Sequence, residues 1–149
     1  METTLNARLA HYAQSHRDRR NELIHCVCVP AILFAVIGLL TTINLLLAII
    51  AIGLALVYYA RLGRSPALRM ALVMLSMLVV WVWLVEPLLG TGGAAWFAVL
   101  LFLLAWIGQF VGHYYEGRKP SFFEDLQYLL IGPLFVIAVL TGSVPPATP

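Results

Sequence analysis

The sequence predicts an all-α membrane protein: a compact bundle of four to five transmembrane helices, with an N-terminal amphipathic helix on the cytoplasmic face. Three observations predict it. Of 149 residues, 62% are hydrophobic and only 11% charged, with a mean hydropathy of +0.92, whereas a soluble domain averages about 45–50% apolar and about 25% charged. The apolar residues gather in stretches close to the ~20 residues that a spanning helix needs. The basic residues fall only on alternate connections, as cytoplasmic loops require.

The first 23 residues are polar and charged, unlike a removable leader, in which an apolar run follows a short basic start at once. Here Leu5, Leu9 and Tyr12 share one helical face, leaving Arg8 and Arg19 for lipid headgroups. The first apolar stretch, 24–40, ends at Thr41-Thr42-Ile43-Asn44, and the second, 45–59, stops at Arg61-Leu62-Gly63-Arg64-Ser65. Both are short for a span, so each is expected either to extend into its flanks or to sit slightly out of register. The third starts after Pro66, a residue suited to a first helical turn, and continues to 89. Gly90-Thr91-Gly92-Gly93 then predicts a turn before the fourth stretch, 94–112. The fifth, 126–140, contains Gly132-Pro133, where proline removes a backbone donor and is expected to kink the helix. The whole reads as one integral membrane domain: a surface segment 1–23, a bundle 24–141 and a tail 142–149. Cys26 and Cys28 point about 200° apart on a helix, so they cannot pair with each other.

The nine basic residues are Arg8, Arg17, Arg19, Arg20, Arg61, Arg64, Arg69, Arg118 and Lys119. With the N-terminus inside, every one lies on the cytoplasmic side, while 41–44 and 90–93 carry no charge. Five full spans would put the C-terminal tail outside. A net charge of +2 with no basic stripe excludes nucleic acid as a partner. Compact connections suggest a bacterial inner membrane. Glu86 is expected at the opposite interface, with no catalytic part.

The chemistry-bearing residues collect at the cytoplasmic level. His11, His16, His25 and His113 all lie there, and so does Glu116. His113 and Glu116 are three apart, about 60° around a helix, close enough to share a metal ion. Such pairs hold iron or manganese in helical bundles, but headgroup solvation explains a single pair equally well. Asn21 and His25, four apart, share a face. His16 and His25 are nine apart, about 180° around a continuous helix, so both can serve one site only if the backbone breaks between them. Arg17-Asp18-Arg19-Arg20 is the place for that break, with Asp18 capping a new helix.

The pattern Tyr12-x3-His16-x4-Asn21-x3-His25-x4-Pro30, then Gln109-Phe110-x-Gly112-His113-x2-Glu116-x3-Pro120 and Pro133-x-Phe135, resembles the 2-hydroxy fatty acid dioxygenase family. That family includes a fungal endoplasmic-reticulum enzyme of phytosphingosine breakdown and bacterial relatives. The resemblance covers nearly the whole chain, although 33–104 matches only as generic membrane helix. It implies an iron(II) enzyme that uses dioxygen without a 2-oxoglutarate co-substrate and shortens a 2-hydroxy fatty acid by one carbon, releasing carbon dioxide. Carried over by position, His16, His25, His113 and Glu116 are the implied iron ligands. His11 lies outside the motif and is expected at the surface.

Imidazole and carboxylate ligands suit iron(II). Tyr12, Asn21 and Gln109 are candidates to orient the imidazoles by hydrogen bonds, or to bond helix to helix. Arg118 or Lys119 would hold the substrate carboxylate, or anchor the helix end to lipid phosphate. Trp81, Trp83, Trp96 and Trp106 either line an acyl-chain tunnel or form interfacial belts. The implied partners are a long-chain 2-hydroxy fatty acid, dioxygen and membrane lipids, with the oligomeric state open. Two competing functions remain: a non-catalytic lipid- or partner-binding membrane protein with structural histidines, and another metal-dependent lipid enzyme such as a zinc hydrolase.

Overall fold

A computed structural model of the chain describes residues 2–13, 18–117 and 130–143. Every regular element among them is helical: α1 (Glu2–Ala13), α2 (Arg19–Ile43), α3 (Leu45–Leu62), α4 (Arg64–Val80), a π-turn (Trp81–Val85), α5 (Glu86–Glu116) and α6 (Gly132–Leu140). Large apolar side chains such as Leu54, Leu68, Leu72 and Leu88 stand exposed along these helices. Such continuous apolar surface belongs in lipid, not water. This is an all-α membrane protein.

Among the described residues, three helical segments are long and apolar enough to cross a membrane: Arg19–Ile43, Leu45–Leu62 and Arg64–Glu116. As expected, the two short stretches extend into their flanks. The threonines that end the first one bond back to their own helix, Thr41 Oγ1 donating to the Ile37 carbonyl at 2.7 Å and Thr42 Oγ1 to that of Leu39 at 2.9 Å. Their hydroxyls are thereby satisfied without water.

The chain falls into two compact units, Met1–Pro30 with Ala105–Pro149, and Ala31–Leu104. Both α2 and α5 contribute residues to each. In the unit 31–104, Asn44 caps α3, its side-chain oxygen accepting from the Leu46 N–H at 2.8 Å. Gly63, with φ 144°, alone separates α3 from α4. The 53-residue segment is not one straight rod, because Gly90 has φ 67° and ψ 163°. Trp81 and Phe97 would stand about 24 Å apart on a continuous helix, yet their ring centroids are 6.0 Å apart. The chain therefore reverses at Gly90, and the segment makes two arms, for four apolar helical passes among the described residues.

Trp81 anchors this unit, wholly buried with Ala94 and Ala98 and edge-on to Phe34. Gly38 makes room for it, since a Cβ there would come within 2.4 Å of the indole. The Trp81 indole N–H is buried with no hydrogen-bond partner among the described residues. Trp83 and Trp96, by contrast, are 78% and 71% exposed. Those two face outward, as interfacial belts do, and line no tunnel. Glu86 accepts a 3.2 Å bond from the exposed Thr91 hydroxyl.

The other unit holds α1, the start of α2, the end of α5 and α6. Leu9, Ala10 and Tyr12 bury one face of α1, and Tyr12 meets Phe135 of α6 edge-on, ring centroids 4.9 Å apart. The fifth apolar stretch departs from expectation. Its residues 126–129 lie outside the described ones, and a turn at Leu130-Ile131 precedes α6. That helix has nine residues, about 13 Å of rise, under half of a ~30 Å hydrocarbon core. Pro133 lies in its first turn and not in its interior. No i−4 bond is lost there, so the expected kink is replaced by a helix start.

Candidate metal centre

The break foreseen between His16 and His25 is present. α1 ends at Ala13 and α2 begins at Arg19, and Asp18 caps the new helix. Its Oδ1 accepts from the Arg20 N–H at 2.7 Å and its carbonyl from the Glu22 N–H at 3.0 Å. The cap fixes where the helical phase of α2 begins, and so which residues share a face. Asn21, His25 and Val29 fall on one stripe and are buried. On α5 the matching stripe is Ala105, Gln109, Gly112 and His113, buried at the same spacing.

These two stripes meet at glycines. A Cβ on Gly108 would lie 2.5 Å from Cys28 Sγ, and one on Gly112 would lie 2.5 Å from Asn21 Oδ1. Four residues apart on α5, the two glycines let the helices approach closely, as small residues do in membrane helix pairs. His25, 1% exposed, and His113, 6% exposed, are thereby brought together. Their ring centroids are 5.1 Å apart and their planes lie at 87°.

The tautomer of His25 follows from its partner. Nδ1 lies 2.9 Å from the Asn21 carbonyl oxygen, which can only accept. In the neutral ring the proton is therefore on Nδ1, and Nε2 carries the lone pair. That is the arrangement a metal-binding histidine adopts. Glu116, one turn beyond His113, turns its carboxylate to the start of α2. Oε2 accepts from the Asp18 N–H and from Asn21 Nδ2, each at 3.0 Å. A carboxylate on the last turn of α5 is disfavoured by that helix's own dipole, and its place at the positive N-terminal end of α2 offsets this. Nearby, the Arg20 guanidinium lies 5.3 Å from the Tyr115 ring centroid.

The family profile described as 2-hydroxy-palmitic acid dioxygenase Mpo1-like matches residues 3–144. This chain belongs to that family. Among curated proteins, the 2-hydroxy-palmitic acid dioxygenase MPO1 of Saccharomyces cerevisiae is 29% identical over 144 residues, covering 89% of this chain and 77% of that protein. No solved structure matches it.

For an Mpo1-like protein, an iron site is the expectation to test on the donor atoms. Two buried imidazoles in contact, one with its Nε2 lone pair fixed, fit the imidazole part of such a site. Among the described residues, however, no group of three His, Cys, Asp or Glu converges to hold a metal ion. His25, His113 and Glu116 together do not form one. His16, Arg118 and Lys119 lie outside the described residues, as does the side chain of His11. Of the expected orienting residues, Asn21 contacts both Glu116 and His25, and Gln109 is buried one turn before His113. Tyr12 is buried against Phe135. Cys26 and Cys28 are free thiols.

Sequence reading missed Gly108, the peptide N–H of Asp18 and the role of Gly112 as a contact glycine. The signal for the glycines was available: they are spaced four apart on the stripe that carries Gln109 and His113. Nothing in a sequence marks a particular backbone N–H as a donor to a residue 98 positions away.

Proposed function

We propose that this protein is an iron(II)-dependent dioxygenase that shortens long-chain 2-hydroxy fatty acids by one carbon, releasing carbon dioxide. The single observation that carries the reading is the buried His25–His113 pair, in a membrane protein of the Mpo1-like family. The substrate class follows from the name of the Saccharomyces cerevisiae relative.

The overall reaction balances without a further reductant. R–CH(OH)–COOH with one O2 gives R–COOH, CO2 and H2O. The C1–C2 bond breaks, the substrate gives up four electrons and dioxygen takes them, which is why no 2-oxoglutarate is needed. Bound iron(II) would supply open positions for a 2-hydroxy acid and dioxygen side by side, and the one-electron steps that dioxygen requires.

The chain's own residues do the rest. His25 and His113 hold the metal through imidazole nitrogens, with His16 as the third imidazole of the reading. Asn21 keeps the proton of His25 on Nδ1. Arg118 or Lys119 meets the substrate carboxylate as a point charge or fork. The acyl chain stays among the exposed apolar helices and lipid, so no soluble carrier is required. In this reading the positive-inside pattern puts the N-terminus and the site on the cytoplasmic side.

The test is anaerobic iron(II) reconstitution of detergent-purified protein, followed by 2-hydroxypalmitate and oxygen. The expected result is about one iron per chain, oxygen uptake, carbon dioxide release and an acid one carbon shorter. Folded protein that binds no metal and consumes no oxygen would leave the histidines as structural groups and sink the enzyme reading. Activity with zinc but not iron would favour a hydrolase.

A further inference from the structure

We infer that Glu116 is a positioning residue and not a metal ligand: it clamps the start of α2 through Asn21, whose main chain in turn holds His25. The inference deepens the iron reading above and rests on it for its metal arm alone. Four links close a ring. Glu116 Oε2 accepts from Asn21 Nδ2 at 3.0 Å. The Asn21 carbonyl accepts from His25 Nδ1 at 2.9 Å. His25 meets His113 at 5.1 Å between centroids. His113 and Glu116 lie one turn apart on α5, which returns to the start.

Asn21 is the pivot, using its side chain towards one helix and its carbonyl along the other. It is wholly buried, so its amide bond to Glu116 is made away from water, where a hydrogen bond is costly to lose. The second bond to Glu116, from the Asp18 peptide N–H at 3.0 Å, ties the same carboxylate to the residue that caps α2. One carboxylate oxygen thus fixes both where α2 begins and how its first turn is rotated. The rotation decides where the His25 ring points. Among the described residues, Glu116 does not join His25 and His113 in a metal-holding group, and its carboxylate is engaged with the start of α2.

The two roles separate under Glu116→Gln. Glutamine keeps a carbonyl oxygen able to accept both bonds but is a poor iron ligand. A positioning role therefore predicts that Glu116→Gln binds iron(II) within about twofold of wild type, while Glu116→Ala loses about tenfold or more, the range seen when a ligand's hydrogen-bond partner is removed. Equal losses in Gln and Ala would overturn the inference and make Glu116 a ligand. The second readout needs no metal: nitrogen-15 spectra of the histidine rings in iron-free protein. Wild type and Glu116→Gln should both show His25 protonated at Nδ1, and Glu116→Ala a mixture of tautomers. An unchanged His25 in Glu116→Ala would also overturn it. Should that variant not fold, Asn21→Ala cuts the same tether and is compared with Glu116→Gln in both assays. If wild type binds no iron, the iron reading fails, and the ring spectra still decide whether Glu116 positions His25.

Discussion

His25 and His113 stand edge to face, their centroids 5.1 Å apart and their planes at 87°, although 88 residues of sequence separate them. The contact exists because α2 and α5 touch at Gly108 and Gly112, where any side chain would collide. Imidazoles this close inside apolar helices are expensive to bury unless each nitrogen has an occupation, a bond or a metal.

His25→Ala and His113→Ala should each abolish stoichiometric iron binding while the helical circular dichroism persists. Neither removes a backbone bond, and the Asn21 carbonyl keeps its ordinary helical partner. Metal content after reconstitution and desalting checks this. Iron retained in both variants would place the site elsewhere.

Gly108→Ala should destabilise the protein by about 1–3 kcal/mol, the usual cost of overpacking, because its Cβ would sit 2.5 Å from Cys28 Sγ. Cys28→Ala removes that sulfur, so the double variant should recover most of the loss. Thermal unfolding in detergent measures it. Gly112→Ala has no such rescue, since Asn21 is the residue it strikes, and it should lower iron affinity as well as stability.

Asp18→Ala should cost about 1 kcal/mol through loss of the α2 cap, and Asp18→Asn much less, because the amide oxygen still accepts from the Arg20 N–H. Both variants keep the Asp18 peptide N–H. Iron affinity is expected to fall less than in Glu116→Ala, which a titration of the two side by side would show.

Both termini should lie on the same side of the membrane. Four helical passes bring the chain back to its starting side, and the nine residues of α6 are too few to cross again. Reporter fusions at each end, one active only in the cytoplasm and one only outside it, test this. Opposite locations would mean that the fifth apolar stretch spans after all.

The helices were legible because lipid demands continuous apolar runs and closed backbone bonding, and a run of residues shows both directly. The break before α2 was legible too: nine residues between two histidines cannot serve one helical face, and Asp18 stood where a cap was needed. Pro133 was misread because a proline marks either a kink or a first turn, and only the turn at Leu130-Ile131 tells which. The fifth stretch was apolar enough to span; its shortness as a helix came from that same turn. Gly90, expected as the first residue of a loop, is the one non-helical residue between two helical arms.

By itself, then, the sequence determined the membrane class, a count of four to five apolar passes, the polar face on which Asn21, His25, Gln109 and His113 gather, and the capping of α2. Each of these is a local or periodic property, set by the helical repeat and by transfer from water to lipid. Tertiary structure alone decided that Glu116 turns to α2, that Gly108 and Gly112 set the distance between the imidazoles, and that α6 folds back against Tyr12. Those depend on the direction of single side chains across pairs of helices joined by most of the chain. Spacing along one helix carries no information about which atom of another helix it will meet.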